Sequence, residues 1–409
     1  MKAQLRWGLA LSWPRVTTVF LLDVLVLVLA AHAPDSWQAR HHIAWWVGVA
    51  LAVILTLISL VSYRGVTLVS GIAAWLRDWS SDPGAALVAG CTEAVGYQRK
   101  YGRSKVGVRE YRGQLVTVIA VDGGAEDSST RPRLRASAGS PVVPIRAVAD
   151  AVQQFDIALD AIDIVTVRTR GTNAAAELSA LESWGPEEWD KLVGQPPVER
   201  ARTWLVLRMN PQRNVNAVVM RDSLAATLVA ATERLAQDLD GQTCSARPLA
   251  AEDLAEVDSA VLVDFEPNRR GSGWRFLKHL NGFTSSFWLS PADIGNDAVE
   301  SLWPADLDTV VASVLTLHLV QGHGSSAPEI SAWVRYHSTE RLPKNFVQGL
   351  NPLVGRQLAA VRASLPAPFV RPQLVLPTRA VREDGELVLS VAPIRENSTD
   401  EAANVVATL

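Results

Sequence analysis

Two long apolar segments near the start of the chain limit what it can fold into. The first covers residues 16–33 and contains one charge, Asp23, whereas the second covers residues 43–63 and contains none. Because an α-helix rises about 1.5 Å per residue, they would reach about 27 and 31 Å, close to the roughly 30 Å hydrocarbon core of a bilayer. No later part of the chain has an apolar run of this length. The sequence therefore predicts a two-helix transmembrane anchor over residues 1–63.

The charges around these segments predict how the anchor is oriented. The connector, residues 34–42, is short, so both ends of the hairpin lie on one side of the membrane. It contains a single arginine, whereas five Lys and Arg residues flank the hairpin: Lys2, Arg6, Arg15, Arg64 and Arg77. The positive-inside rule then places the N-terminus and the large C-terminal region in the cytoplasm, with a two-pass anchor in the inner (plasma) membrane. The alternative, a cleaved signal peptide, is disfavoured because a second span follows at once.

Asp23 allows two interpretations. A carboxylate inside a span is costly and often marks a proton or ion path. It can also face a neighbouring helix, pair with a polar group or be protonated. We favour this structural role, since neither segment contains a second acidic residue, or a Lys or Arg, that could continue a path.

Apolar residues continue at helical spacing after the second span. They predict a juxtamembrane amphipathic helix over residues 64–82, which leaves the bilayer or lies on it. The residues that form its apolar face are Leu68, Ile72, Trp75 or Leu76, and Trp79.

The composition excludes several classes of protein. The 409 residues carry 39 Lys and Arg against 42 Asp and Glu, a net charge of −3, so a nucleic-acid partner is not expected. Two cysteines, Cys91 and Cys244, are too few for a disulfide framework or a cysteine zinc site.

The rest of the chain alternates strand and helix patterns, which predicts a mixed α/β (or α+β) cytoplasmic region. A β-hairpin is expected over residues 106–121, with Gly113 in the turn. A long amphipathic helix over residues 217–239 lies between two strands. Further strands are predicted at 162–168, 203–209, 243–248, 274–277, 283–289, 310–319 and 330–337, helices at 147–155 and 353–364, and a final hairpin at 374–376 with 386–391.

Changes in composition suggest how this region is divided. We expect a first α/β part over residues 83–260, interrupted by a flexible polar loop at 122–140, and a second over residues 261–392. Residues 393–409 form a polar tail that is expected to fray.

Motifs for catalysis are weak. The chain has no G-x-x-x-x-G-K-[ST], G-x-S-x-G or H-E-x-x-H sequence. Gly271-Ser272-Gly273 lacks the third glycine of a dinucleotide site, because Phe276 stands there, so a plain loop is expected. The loop around His323 shows neither an orienting base nor an oxyanion hole. The adjacent His41 and His42 cannot share a helix face, so we expect no chelation by the pair.

Two D-x-D pairs raise the question of sugar transfer, because glycosyltransferases use this spacing to hold a divalent cation. The first pair, Asp238 and Asp240, lies at the end of the long predicted helix, and the second, Asp306 and Asp308, lies in a turn after Pro304. The pattern is common by chance, and solvated surface acids are the favoured interpretation. We therefore predict no catalytic, cofactor-binding or metal-binding residues.

The chain resembles the EccE component of the mycobacterial type VII (ESX) secretion systems. The resemblance covers most of the chain up to about residue 320 and rests on strand and helix cores, none of them a catalytic motif. The matching stretches are Arg64-Gly65-Val66-Thr67 after the second span and residues 106–123, 153–165, 203–211, 231–239 and 284–294.

This resemblance implies a role. EccE-like proteins sit in an inner-membrane complex with EccB, EccD and EccC, an FtsK/SpoIIIE-type ATPase, in a six-fold assembly. It also implies a cytoplasmic fold similar to that of glycosyltransferases without an evident active site. We therefore expect a non-enzymatic structural subunit that supports protein export across the mycobacterial cell envelope. The alternatives are a membrane-anchored nucleotide-sugar glycosyltransferase and, less favoured, a stand-alone membrane sensor.

Overall fold

The structure is a computed structural model that describes most of the chain between residues 7 and 391. The described residues are 7–9, 13–32, 43–63, 66–67, 71–76, 83–88, 91–100, 102, 104–122, 141–154, 157–170, 199–215, 223–240, 244–263, 265, 267–303, 309–322, 327–343, 346, 349–368, 374–381 and 387–391.

Two helices form near the start of the chain, where the sequence predicts them. Helix α1 is Trp13–Ala31 and helix α2 is Ile43–Leu60. They pack closely, since a Cβ added at Gly48 would lie 2.4 Å from the Cβ of Ala30. Strand β1 (Trp7–Leu9) precedes α1 and pairs with β2 (Val61–Tyr63), which follows α2. The N-terminal end of α1 and the C-terminal end of α2 therefore lie side by side.

The sequence predicts that α1 and α2 span a membrane. Within the described ranges, no helix combines the length and the apolar character that crossing a membrane requires. The two-span anchor accordingly stays a prediction.

The segment after α2 differs from the predicted amphipathic helix over residues 64–82. Val66–Thr67 form strand β3, which pairs with β2, and helical structure covers residues 71–76. The edge of Trp75 contacts Trp274, with ring centroids 6.0 Å apart. The pairing of β3 with β2 thus replaces the start of the helix that the spacing of apolar residues suggests, whereas residues 68–70 and 77–82 lie outside the described residues.

Thirteen strands of the described residues form one large sheet, in which every strand pairing is antiparallel. The main order is β13-β14-β15-β17-β16-β10-β11-β6-β5-β4, with β12, β18 and β19 as short additions. The strand bounds are β4 Val95–Tyr97, β5 Val106–Tyr111, β6 Gln114–Asp122, β10 Ala161–Arg170, β11 Glu199–Met209, β12 Ser245–Pro248, β13 Pro267–Ser272, β14 Leu277–His279, β15 Gly282–Trp288, β16 Val310–Val320, β17 Glu329–Ser338, β18 Asn351–Pro352 and β19 Arg379–Ala380. Short strands outside this sheet are β7 Val142–Pro144, β8 Gln153–Gln154, β9 Ile157–Ala158 and β20 Val388–Ser390. The predicted mixed α/β fold is confirmed as a single large sheet with helices.

Helices cover both faces of this sheet. Their bounds are α3 Pro83–Val88, α4 Ile145–Asp150, α5 Leu224–Leu239, α6 Leu254–Leu262, α7 Asn296–Glu300 and α8 Gln357–Ser364. Helices α4, α5 and α7 pack on one face, and α3, α6 and α8 pack on the other. Because both faces are covered, the central strands are almost continuously buried instead of alternating between buried and exposed residues.

The predicted hairpin is confirmed, and the predicted long helix is confirmed from Leu224 onward, because Ser223 before it is extended. Strands β5 and β6 are joined by Arg112 and Gly113, both with positive φ (51° and 77°), as a two-residue hairpin turn requires. Helix α5 begins after Ser223, whose hydroxyl accepts a hydrogen bond from the backbone N–H of Ala226. Residues 217–222 of the predicted helix lie outside the described residues. Strands β11 and β12 flank β6, so the α5 connection crosses over one strand.

Several predicted boundaries are wrong. The helix expected at 147–155 is the shorter α4, after which β8 begins, and the helix expected at 353–364 begins at Gln357. The strand expected at 274–277 begins at Leu277. The final hairpin is also wrong, because β20 pairs with β7 from the first half of the chain. An apolar run predicts that a segment is a strand, but it does not predict with which strand the segment pairs.

The sheet includes strands from both sides of residue 260. Strand β10, from the first half of the chain, pairs with β16, from the second half, over residues Ile162–Thr169. The proposed division at residue 260 stays a prediction. Most of the predicted loop at 122–140 and all of the tail at 393–409 lie outside the described residues.

Gly107 marks a close approach between a strand and a loop. A Cβ at this position would lie 2.8 Å from the carbonyl oxygen of Ala250. We expect Gly107→Ala to lower the free energy of unfolding by about 1–3 kcal/mol, because overpacking forces the backbone to shift. Gly96, its cross-strand partner, has open space around it and is the matched control. Urea unfolding of the two alanine variants should separate them, and equal stabilities would contradict the packing described here.

Candidate functional site

The sheet face beneath α3, α6 and α8, here called the ionic face, contains three buried charged residues of the described core, Arg109, Asp163 and Arg335. Asp163 on β10 is 1% exposed and accepts a hydrogen bond from Arg208 Nε at 2.7 Å. His318 on β16 lies directly opposite it, with its Nδ1 2.5 Å from the Asp163 carboxylate. Adjacent strands bring the three groups together because residues at opposing positions share one face. The result is an ionic ladder across three central strands.

Two arginines of this face also hold the turn that follows α8. Arg208 donates to the carbonyl oxygens of Leu365, at 2.8 Å, and Ala367. Arg109 donates to the carbonyl oxygen of Pro366 at 2.9 Å. Cations are favourable at the C-terminal end of a helix, where carbonyl groups lack partners within the helix. The guanidinium groups therefore dock the end of α8 on the sheet.

Arg109 also fixes the neighbouring helix α6. Its two terminal nitrogens form a bidentate ion pair with Asp258, at 2.8 and 2.6 Å. Such a pair fixes direction as well as distance. The sheet, α6 and the turn after α8 thus meet at one buried side chain.

The charge states follow from these contacts. Burial raises the pKa of Asp163, but the ion pairs with Arg208 and His318 outweigh it, so the pKa lies below its usual value. Burial, and secondly the charge of Asp258, raise the pKa of the Cys91 thiol to about 11. Asp163 is therefore ionised at neutral pH, whereas Cys91 is a protonated thiol and a poor nucleophile.

This arrangement does not make a hydrolytic site. The Ser364 hydroxyl, the nearest candidate nucleophile on the ionic face, accepts hydrogen bonds from Thr316 and Trp333 and donates to the carbonyl oxygen of Ala360. A serine nucleophile would instead donate its proton to a base. The geometry of the ionic ladder supports a structural role.

The D-x-D pair that the structure describes is not arranged for metal binding. Asp238 is exposed on the last turn of α5, and Asp240 ends the helix and faces Ser245 and Ala246. Across the described ranges, no group of three or more His, Cys, Asp and Glu side chains could hold a metal ion. The second pair, Asp306 and Asp308, lies outside the described residues, as do His41, His42 and His323.

The glycine pair forms part of a turn. Gly271 and Ser272 lie in β13, which ends at Ser272, and the backbone N–H of Gly273 donates to the carbonyl oxygen of Phe276 at 2.9 Å. A strand, β14, follows, so the pair does not open a helix that could receive a dinucleotide phosphate. The predicted loop is thus confirmed only at Gly273, because Gly271 and Ser272 belong to a strand.

Asp23 lies between the two N-terminal helices. The hydroxyl of Thr56 on α2 donates to its Oδ2 at 2.6 Å. This contact is the polar pairing with a neighbouring helix that the structural interpretation of Asp23 expects.

The outer surfaces of α1 and α2 carry most of the exposed large apolar side chains of the described residues. Sixteen large apolar side chains on these helices are each at least 41% exposed. Solvent-exposed surfaces of this kind mark sites of contact with membranes or protein partners. The side chains are Trp13, Phe20, Leu21, Leu22, Val24, Leu25, Val28, Leu29, Ile43, Trp45, Trp46, Val47, Leu51, Val53, Ile54 and Leu57.

Sequence reasoning missed the ionic face. Arg109, Asp163 and Arg335 stand inside apolar strands, and such inward charges are a signal because charged residues are rarely buried without partners. Their partners come from distant parts of the chain, so the pairing could not be worked out from spacing.

Comparisons with known proteins identify the family. The family model of EccE, described as a type VII ESX secretion system translocon, matches residues 197–289, from β11 into β15. The ESX-5 secretion system proteins EccE5 of Mycobacterium marinum and Mycobacterium tuberculosis are each 58% identical to this chain over 98% of both proteins. The chain belongs to the EccE family. The ESX-1 secretion system protein EccE1 of Mycolicibacterium smegmatis is a more distant EccE relative, 26% identical over 80% of this chain and 64% of its own.

The ionic ladder gives a sharp stability prediction for this EccE fold. Asp163→Asn leaves Arg208 buried without its counter-ion, so we expect a loss of about 3–5 kcal/mol in the free energy of unfolding. Asp160→Asn is the matched control, because its partner Arg213 is largely exposed and such pairs contribute about 1 kcal/mol or less. Urea titrations at pH 7 measure both, and a similar loss in the two variants would contradict the buried ladder.

The carboxylate of Asp163 also predicts how the free energy of unfolding changes at acid pH. Because its pKa is lowered in the folded protein, the stability it contributes is present above the ordinary carboxyl value of 3.8 and is lost as the pH falls below that value. We expect the free energy of unfolding to fall more steeply below pH 4 in the unchanged protein than in Asp163→Asn. Parallel slopes in the two proteins would refute this assignment.

Proposed function

We propose that this chain is a non-enzymatic structural subunit of a type VII (ESX) secretion complex in the inner membrane. The observation that carries the proposal is the 58% identity to two ESX-5 secretion system proteins over nearly the whole chain. Identity over 98% of both chains means that the N-terminal helices and the sheet region are both shared with these relatives.

We propose a division of labour between the two parts. The helix pair α1 and α2 anchors the chain in the lipid bilayer as a two-pass hairpin, with the sheet region in the cytoplasm. The exposed apolar side chains of both helices support this role, because the rest of the described chain leaves them uncovered. The pairing of β1 with β2 supports the orientation, since it joins the outer ends of the helices on one side.

The partners follow from the resemblance to EccE components. They are EccB, EccD and the ATPase EccC, assembled with six-fold symmetry. The sheet region supports a scaffold role, because both of its faces are buried and its charges are used to fix helices. The glycosyltransferase alternative finds no specific support, since the exposed Asp238 and the terminal Asp240 do not converge on a metal site.

A pull-down of the tagged full-length chain from its native host in mild detergent tests the proposal. We expect mass spectrometry to find an FtsK/SpoIIIE-type ATPase and a protein with many spans in one large particle. Recovery of the chain alone, in detergent that keeps a known secretion complex whole, would contradict it.

A variant of the helix pair adds a structural arm to this test. Gly48→Leu places a side chain where the Cβ alone would lie 2.4 Å from Ala30 Cβ, so the helices must separate. We expect recovery of the partners to fall at least about tenfold, the effect of roughly 1.4 kcal/mol. Ala50→Leu adds the same side chain at an exposed position of α2 and should leave recovery unchanged. Equal recovery in both variants would show that the packed helix pair is not needed for assembly.

A further inference from the structure

A group of buried hydrogen-bonding side chains without partners lies on the ionic face, away from the ladder of Asp163. We call Arg335, His337, His279 and Ser286 the donor cluster. Within the described residues, the Nε and Nη1 of Arg335, the Nε2 of His337 and the hydroxyl of Ser286 are buried without a hydrogen-bond partner, and the buried ring of His279 has none apart from the backbone of Phe283. Buried polar groups are normally paired, so this concentration in one place requires an explanation.

The strands bring these groups together. Ser286 on β15 stands directly opposite Arg335 on β17, and Thr284 stands opposite His337. Opposing residues on one face have Cβ atoms about 4.5–5.5 Å apart. The rings of His279 and His337 are 6.0 Å apart between centroids. The cluster is therefore one compact site.

Neighbouring elements close this site. Phe265 packs its ring edge-on against both histidines, at centroid distances of 5.2 Å from His279 and 6.4 Å from His337. The Nη2 of Arg335 donates to the carbonyl oxygen of Val261 in the last turn of α6. That carbonyl is one of the helix-terminal acceptors that a cation normally satisfies. This hydrogen bond leaves the other two nitrogens of the guanidinium, Nε and Nη1, without a partner among the described residues.

Among the described residues, the positive charge of this site has no counter-ion. Arg335 is fully buried, and burial lowers its pKa to about 9, so it stays charged at neutral pH. Burial, followed by the charges of Arg335 and His279, lowers the pKa of His337, and burial lowers that of His279. Both histidines are therefore neutral at pH 7. A guanidinium removed from water without a counter-ion is strongly unfavourable.

We propose that the donor cluster binds a small monovalent anion, with chloride as its simplest form. One negative charge neutralises Arg335, while its free N–H groups, the Ser286 hydroxyl and a histidine N–H surround the ion. A metal ion does not fit, because the guanidinium repels a cation and no carboxylate of the described residues acts on the pKa of Arg335, His337 or His279. The ion must be small, since all four side chains are at most 6% exposed.

Anion binding at this place is linked to protons. A bound anion favours the charged form of the two adjacent histidines, so it raises their pKa toward the ordinary value of 6.5. By linkage, the anion binds more tightly at pH 6 than at pH 8. The site would thereby stabilise the β14–β15–β17 edge of the sheet once the local anion concentration exceeds the dissociation constant.

The test is thermal unfolding of the full-length chain in mild detergent. Chloride replaces gluconate stepwise at constant ionic strength, at pH 6 and pH 8. We expect a saturable rise of Tm with chloride, with tighter apparent binding at pH 6. Formate in a parallel series tells a halide site from one that prefers a carboxylate.

A pair of serine variants gives the control. Ser286→Ala removes one donor to the anion without touching the charge, and should weaken the apparent affinity about tenfold, the effect of one hydrogen bond to a charged group. Ser331→Ala removes a buried hydroxyl from β17 away from the donor cluster and should leave the affinity unchanged.

Three results would overturn the proposal. One is a Tm that does not distinguish chloride or formate from gluconate at either pH. Another is equal apparent affinity in Ser286→Ala and Ser331→Ala. The third is chloride-35 NMR line broadening that persists undiminished in a folded Arg335→Gln variant.

Discussion

The ion pairs of Asp163 tie together the parts of this fold that the chain brings from far apart. Strand β10 supplies the carboxylate, β11 supplies Arg208 and β16 supplies His318. Arg208 then reaches across the layer to the turn after α8, 157 residues further along the chain. An ionised group inside a core is stable only with such partners. The position of α8, and with it one layer of the fold, thus depends on the register of three central strands.

Much of this fold could be predicted from local pattern. The β5–β6 hairpin has a glycine at a turn position that needs positive φ, and α5 has apolar residues at helical spacing after a serine cap. What local pattern lacks is information about partners. Strand β20 pairs with β7, more than 240 residues earlier in the chain, and no periodicity within either segment predicts that choice.

The candidate site likewise has one part that the sequence predicts and one part that it does not. The apolar surface of α1 and α2 could be read from the sequence, because the segments are long and almost free of charge. The ionic face could not, since Arg109 meets Asp258 and Pro366 only after the sheet, α6 and α8 have packed. An arginine inside an apolar strand indicates that a buried ionic face exists, although it does not predict which groups accept its hydrogen bonds.

A structural subunit of the proposed kind needs a rigid domain and a surface that binds membrane or partners more than it needs catalytic residues. The sheet is buried on both faces and fixed by ion pairs, whereas the helix pair exposes its apolar side chains. Residues 71–76 connect the two parts through the contact of Trp75 with Trp274. Sequence identity to ESX-5 secretion system proteins extends over both parts.

The most direct test of this account is protein export in the native host after deletion of the gene and re-expression of variants. A scaffold predicts that a chain with Asp238→Ala and Asp240→Ala restores export to the level of the unchanged chain. The Gly48→Leu chain should restore little export, because its helix pair cannot pack. Loss of export in the double aspartate variant, with normal chain levels and normal assembly, would contradict the account and favour a catalytic role.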